Sequence, residues 1–162
     1  RRHDRELFFE TIKKIREKKP NIAIGTDIIV GFCGETKEQF NDTVSLYEIC
    51  DFDISYTAKY SERSGTVAAK AFKDDVTQEE KKKRWWKLQR LMEKIVLKKN
   101  QAYLDKEVSV LVDDWHRGWC SGNSSEMKRV QFKGEESLIG SVSRVKVYKA
   151  GEWMLFGDHI TV

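Results

Sequence analysis

The sequence predicts two parts in order, an α/β part followed by a small all-β part. Apolar residues recur at helical spacing in three segments before residue 102, and two short β-branched runs lie between the first segments. Beyond that point the period changes to alternating valines and aromatics broken by glycines. Helix, strand, helix, strand is the order of parallel α/β structure, and several short strands in so brief a stretch suit a closed barrel. The expected boundary gives parts 1–98 and 99–162.

Leu7, Phe8, Ile12 and Ile15 place a helix from Asp4 to Lys19, with Asp4 as its cap and Pro20 past its end. Ile22 to Phe32 is β-branched and apolar on both faces, as in a buried parallel strand. Gly31 to Thr36 breaks it. A second helix follows to Ile49, with Phe40, Val44 and Tyr47 on one face and a capping box from Thr36 and Gln39. Phe52 to Tyr60 is the next strand, and residues 61–76 read as irregular. Thr77 caps a long helix running to about Ala102, with Trp85, Leu88, Leu91, Met92, Ile95 and Val96 as its apolar stripe. Alternation then marks strands at Val108–Val112, Val130–Phe132, Val142–Tyr148 and Trp153–Ile160, with Gly118, Gly122, Gly134, Gly140, Gly151 and Gly157 as punctuation.

The 162 residues are 40% hydrophobic and 35% charged, the balance of a folded soluble protein. The net charge of +4 is unevenly spread. Residues 99–162 carry nine cations against nine acids, while Lys81 to Lys99 alone hold nine cations and one acid, Glu93. Such a stripe either meets phosphate or is a solvated helix face. Cys33, Cys50 and Cys120 are spaced too widely for a C-x-x-C motif and read as reduced, cytosolic and packed. No apolar run reaches the roughly 20 residues that span a bilayer. No secretory signal opens the chain, and the absence of an initiator Met suits an internal fragment.

The strongest local signal is Thr26-Asp27-Ile28-Ile29-Val30-Gly31-Phe32-Cys33-Gly34-Glu35-Thr36. Glycines at the end of a strand let a ligand approach backbone, and the carboxyl end is where β/α sites gather. This stretch resembles the T-D-I-I-V-G-F-P-G-E-T segment of radical S-adenosylmethionine methylthiotransferases. Tyr60-Ser61-Glu62-Arg63-Ser64-Gly65-Thr66-Val67-Ala68-Ala69 resembles that family's Y-S-P-R-P-G-T-P-A-A. Asp75-Val76-Thr77 and the basic helix resemble its D-x-V-P and K-x-x-R-x-x-x-L. Val110-Leu111-Val112, Gly122-Asn123-Ser124 and Val130-Gln131-Phe132 resemble the TRAM domain, a small RNA-binding β-barrel. Cys33, Glu62 and Ser64 stand where the family has proline, and Asn123 replaces an arginine.

The resemblance implies the last strands of a radical-enzyme partial (β/α) barrel followed by a TRAM barrel. It implies that Thr26, Asp27, Val30, Gly31 and Phe32 line the cofactor end of the barrel, the alternative being that Ile28 to Val30 are plain core. Asp27, inside an apolar strand, is expected to find a partner. Arg63 would meet substrate phosphate or fix its loop by a salt bridge. On the TRAM part, Lys128, Arg129, Lys133, Arg144 and Lys146 would contact RNA, with Trp115, Trp119 and Trp153 as candidate stacking partners. In Lys128 to Lys133 alternation sets Lys128, Val130 and Phe132 on one face and Arg129, Gln131 and Lys133 on the other, and Phe132 is expected in the core.

The family holds one four-iron four-sulfur cluster on a C-x3-C-x2-C loop and a second on three cysteines further upstream. Neither triad is in this sequence. S-adenosylmethionine and both clusters therefore belong to an intact enzyme. This chain is expected to retain no metal and to be inactive without the missing N-terminal portion. Arg63 within Tyr-Ser-x-Arg-x-Gly-Thr is similar to the tRNA-modifying branches, most to the MiaB type. That type adds a methylthio group to C2 of isopentenyl-adenosine beside the anticodon. The threonylcarbamoyl-adenosine branch, and a non-catalytic RNA-binding module, are the alternatives. The expected partner is a tRNA anticodon stem-loop, in the cytoplasm.

Overall fold

The computed structural model describes residues 4–161, which divide into two compact units, Arg1–Glu93 and Lys94–Val162. The fold is mixed α/β with a closed five-stranded barrel. The division falls inside one long helix.

In the first unit, α1 (Arg5–Lys18) is capped by Asp4, whose carboxylate accepts from Leu7 N–H at 2.9 Å. β1 (Gly25–Val30) pairs in parallel with β2 (Ile54–Lys59), Gly25 opposite Ile54 and Val30 opposite Lys59. Between them α2 (Lys37–Cys50) starts on the expected capping box: Thr36 Oγ accepts from Gln39 N–H, and Gln39 Oε1 accepts from Thr36 N–H. Two apolar layers form the core. Val30, Phe40 and Leu88 pack with Ile28, Val44 and Trp85, and Tyr47 and Phe8 stack on Phe52. Arg16 ties α1 to the strand entry by bonding Asp53, which itself accepts from Ile24 N–H.

Three expectations change here. β1 is shorter than Ile22–Phe32, because Arg16 and Asp53 hold the residues before Gly25 outside the ladder. It is also not buried on both faces. Ile29 is 59% exposed and Tyr56 on β2 is 65% exposed, so one face of the two-stranded sheet is open to water. Residues 61–76 are not wholly irregular: Thr66 caps a short helix, α3 (Val67–Ala71). Then α4 (Gln78–Gln101) begins at Thr77, whose hydroxyl accepts from Glu80 N–H.

In the second unit, β3 (Glu107–His116), β4 (Trp119–Ser124), β5 (Arg129–Lys133), β6 (Val142–Ala150) and β7 (Leu155–His159) close in the order β3-β4-β5-β7-β6. Pairing is antiparallel except between β5 and β7, where Val130 lies opposite Leu155. The inward set is Val108, Val110, Val112, Cys120, Val130, Phe132, Val145, Val147 and Leu155. Each such burial contributes about 1.5–3 kcal/mol. Val142 is out of phase with Val145 and Val147 and stays exposed. Gly122 and Gly157 are not punctuation but lie inside β4 and β7. A β-carbon on Gly122 would sit 2.0 Å from Leu111 O, so the position marks close backbone approach. Trp153 is not in a strand; it lies in the turn between β6 and β7. No helix among the described residues is long and apolar enough to cross a membrane.

Candidate functional site

The carboxyl end of β1 leads into a turn that α4 holds from beneath. Gly31 has φ +72° and is buried, and its N–H donates to Glu35 Oε2 at 2.7 Å. A β-carbon there would lie 2.3 Å from Lys81 Cγ. The glycine thus makes room for a lysine side chain rather than for a ligand. Lys81 has no exposed side-chain surface, and its ammonium meets both Asp74 carboxylate oxygens at 2.6 Å. It also lies 5.2 Å from the centre of the Tyr60 ring. Arg84, nearly buried, donates to Glu35 and Glu80. Burial opposes its charge, but the bonds from Glu35 and Glu80 outweigh this and hold the guanidinium protonated above its ordinary range. Asp75 accepts from Gly34 N–H at 2.7 Å. Lys81 and Arg84 therefore leave the basic stripe: they are internal clamps, and the phosphate-facing reading does not apply to them.

Of the five residues expected to line the cofactor end, Val30, Gly31 and Phe32 lie at the carboxyl end of β1. Thr26 and Asp27 sit near the start of β1 instead. Asp27 is exposed, which removes the burial cost from which a partner was inferred. Phe32 stacks edge-on against Tyr60, with ring centres 5.0 Å apart, and against Phe72. The Tyr60 phenol is held above its usual range, first by a hydrogen bond with the Cys33 thiol. Beside this cluster is an open cleft of about 270 Å³ lined by Ile29, Ala58, Tyr60, Ser61, Arg63 and Thr66. Arg63 is exposed in it and makes no ion pair among the described residues, so the loop-fixing salt bridge is not formed.

Burial pushes the thiols of Cys50 and Cys120 up, against the thiolate that iron requires. Cys33 lies on the turn, Cys50 at the end of α2 and Cys120 inside the barrel. The cysteines of this chain do not fit an iron–sulfur cluster. Among the described residues no group of three His, Cys, Asp or Glu side chains is placed to hold a metal ion.

On the barrel, the alternation of β5 sends Val130 and Phe132 inward, and Lys128, just before the strand, is buried as well. At 6% exposure, Lys128 is not the surface contact for RNA that was expected. Arg129 faces outward but bonds Asp113 at 2.6 Å and Ser121 Oγ at 2.8 Å. Arg144 pairs with Glu107. Lys133 is exposed, 5.7 Å from the Trp119 ring, and Lys146 is exposed between Glu107 and Asp158 in the ladder. Trp115 is half-buried, its indole N–H donating to Gly134 O. Tyr148 faces outward in phase with Lys146, as strand alternation predicts, and a bulge in β6 turns Lys149 outward beside it.

No protein-family profile matches the chain. The chain is 43% identical, over 99% of its length, to the tRNA-2-methylthio-N(6)-dimethylallyladenosine synthase of Bacillus subtilis (strain 168). It is 40% identical over 99% to the synthase of that name from Bacillus pumilus (strain SAFR-032), and 43% identical over 98% to that of Bacillus thuringiensis (strain Al Hakam). It spans about a third of these relatives' length: 32%, 32% and 31%.

Proposed function

We propose that the chain is the C-terminal part of a tRNA methylthiotransferase, the kind of enzyme it matches across about a third of the relatives' length. The proposed reaction adds a methylthio group to C2 of dimethylallyl-adenosine, that is isopentenyl-adenosine, beside the anticodon. The single observation that carries this is 43% identity over 99% of the chain to a synthase of that name. The same name favours this nucleoside over threonylcarbamoyl-adenosine.

When bound in the whole enzyme, S-adenosylmethionine and its iron–sulfur clusters supply the radical chemistry. The cluster ligands lie outside this chain, which alone is inactive in this reading. Its own residues bind and orient. The cleft with Tyr60, Ser61 and Arg63 forms one wall of the reaction chamber, and Arg63 presents an unpaired cation to a phosphate of the substrate. The Lys81–Asp74 and Arg84–Glu35 pairs fix the turn that carries Phe32. The exposed faces of β1 and β2 are covered by the preceding portion of the same enzyme. The closed barrel is a TRAM domain, and Lys133 and Lys146, with Arg129 and Arg144 behind ion pairs, meet the anticodon stem-loop in the cytoplasm.

A chimera tests this. The 162 residues replace the corresponding third of the Bacillus subtilis relative, and tRNA nucleosides from a strain lacking that relative are analysed by mass spectrometry. Methylthiolated dimethylallyl-adenosine is the expected product. A folded, cluster-loaded chimera that leaves the nucleoside unmodified would contradict the proposal.

A further inference from the structure

The β6–β7 hairpin carries exposed aromatics that neither the barrel core nor the cation pairs explain. Tyr148 is 51% exposed and Trp153 is 55% exposed. Both positions are built. The ladder between β6 and β7 slips between Val147 and Lys149, so Tyr148 and Lys149 oppose a single residue. A bulge of this kind re-aims side chains, and here both emerge on the outer surface. Lys149 lies 5.3 Å over the Phe156 ring and makes no ion pair among the described residues.

The turn that holds Trp153 is fixed from within the unit. Asn100, 3% exposed, donates through Nδ2 to Gly151 O at 2.8 Å and Glu152 O at 3.2 Å. Gly151 N–H closes the turn onto Met154 O at 2.8 Å. A tryptophan held half in water on a pinned turn has already lost the freedom that binding would otherwise remove.

We propose that this hairpin is a stacking site for unpaired RNA bases, with Tyr148 and Trp153 as platforms and Lys149 as the phosphate contact. This rests on the reading of the barrel as an RNA-binding domain and assigns it a face. Base-on-aromatic stacking between cations is how single strands are held without a sequence code. A protein partner is disfavoured because Lys146 and Lys149 interrupt the apolar surface. Glu152, beside Trp153, keeps phosphate from the tip and leaves it to the base.

The test uses the full chain, a labelled anticodon stem-loop RNA, and a fully paired duplex of equal length. Tyr148→Ala with Trp153→Ala is expected to weaken stem-loop binding by roughly tenfold or more, with the salt dependence unchanged. Tyr148→Phe with Trp153→Phe is expected to keep affinity within about threefold, since the ring face is retained. Lys149→Ala should lower the salt slope by roughly one. Circular dichroism of each variant verifies the barrel. Stem-loop binding indifferent to the alanine pair, or duplex binding as tight as stem-loop binding, would overturn this inference alone. No binding of either RNA by the wild-type chain would overturn the RNA reading of the barrel as well.

Discussion

The side chain of Lys81 fills the space that a β-carbon on Gly31 would need. The two Lys81 carbons nearest that point lie 2.3 and 3.1 Å away, and Gly31 has φ +72°. Gly31→Ala therefore combines backbone strain with a clash against a buried side chain. A loss of about 2–4 kcal/mol in unfolding free energy is expected. Lys81→Met, which strands Asp74, is expected to cost about 2–4 kcal/mol, because one partner of a buried pair is left alone. Denaturant unfolding checks both, and a change under about 0.5 kcal/mol in either would contradict the packing described.

Tyr47 gives a pH signature. Burial pushes its phenol above the ordinary value, with the Ser55 hydrogen bond opposing and Asp51 adding to the rise. A raised folded value means that the phenol's contribution is fully present below the unfolded value of about 10 and is lost as pH rises through the folded one. Wild type should lose stability above about pH 10 more steeply than Tyr47→Phe. At neutral pH that variant should cost about 1 kcal/mol for the bond to Ser55. Parallel pH–stability curves would contradict the assignment.

Much of this was legible because it is local. The caps at Asp4, Thr36 and Thr77 bond residues three positions away, so sequence spacing alone specifies them. Val130 and Phe132 were placed inward by strand period. What period does not see is a charged residue paid for by a distant partner. Lys81 and Arg84 look like surface cations until Asp74 and Glu35 are brought to them by the fold. Asp27 is the reverse case: its neighbours are apolar, but the sheet leaves that position in water. Gly122 resembled a turn because close approach of Leu111 cannot be read one strand at a time. Tyr148 follows the strand period outward, whereas the outward turn of Lys149 comes from a bulge that breaks the alternation on which strand faces are counted.

Unit one carries the weaker sheet. β1 and β2 pair only with each other among the described residues, whereas every barrel strand has two neighbours. Amides of β1 and β2 should exchange hydrogen faster than those of β3 to β7. Equal protection in a monodisperse monomer would contradict this.

Cluster loading is a separate check. Anaerobic reconstitution of the 162-residue chain should give iron and sulfide far below one cluster per chain, because Cys50 and Cys120 are buried as thiols. Stoichiometric cluster would contradict the reading that the ligands lie elsewhere.

A barrel that holds RNA through its unpaired surface cations, as proposed, must bind an anticodon stem-loop with an affinity that depends on salt. Between about 50 and about 200 mM salt, log affinity should fall linearly with log salt. Lys133→Ala and Lys146→Ala should each reduce the slope by roughly one. Arg129→Ala and Arg144→Ala should reduce it less, because Asp113 and Glu107 already neutralise those guanidinium groups. No binding at the lowest salt, or a slope that neither lysine variant changes, would contradict the account.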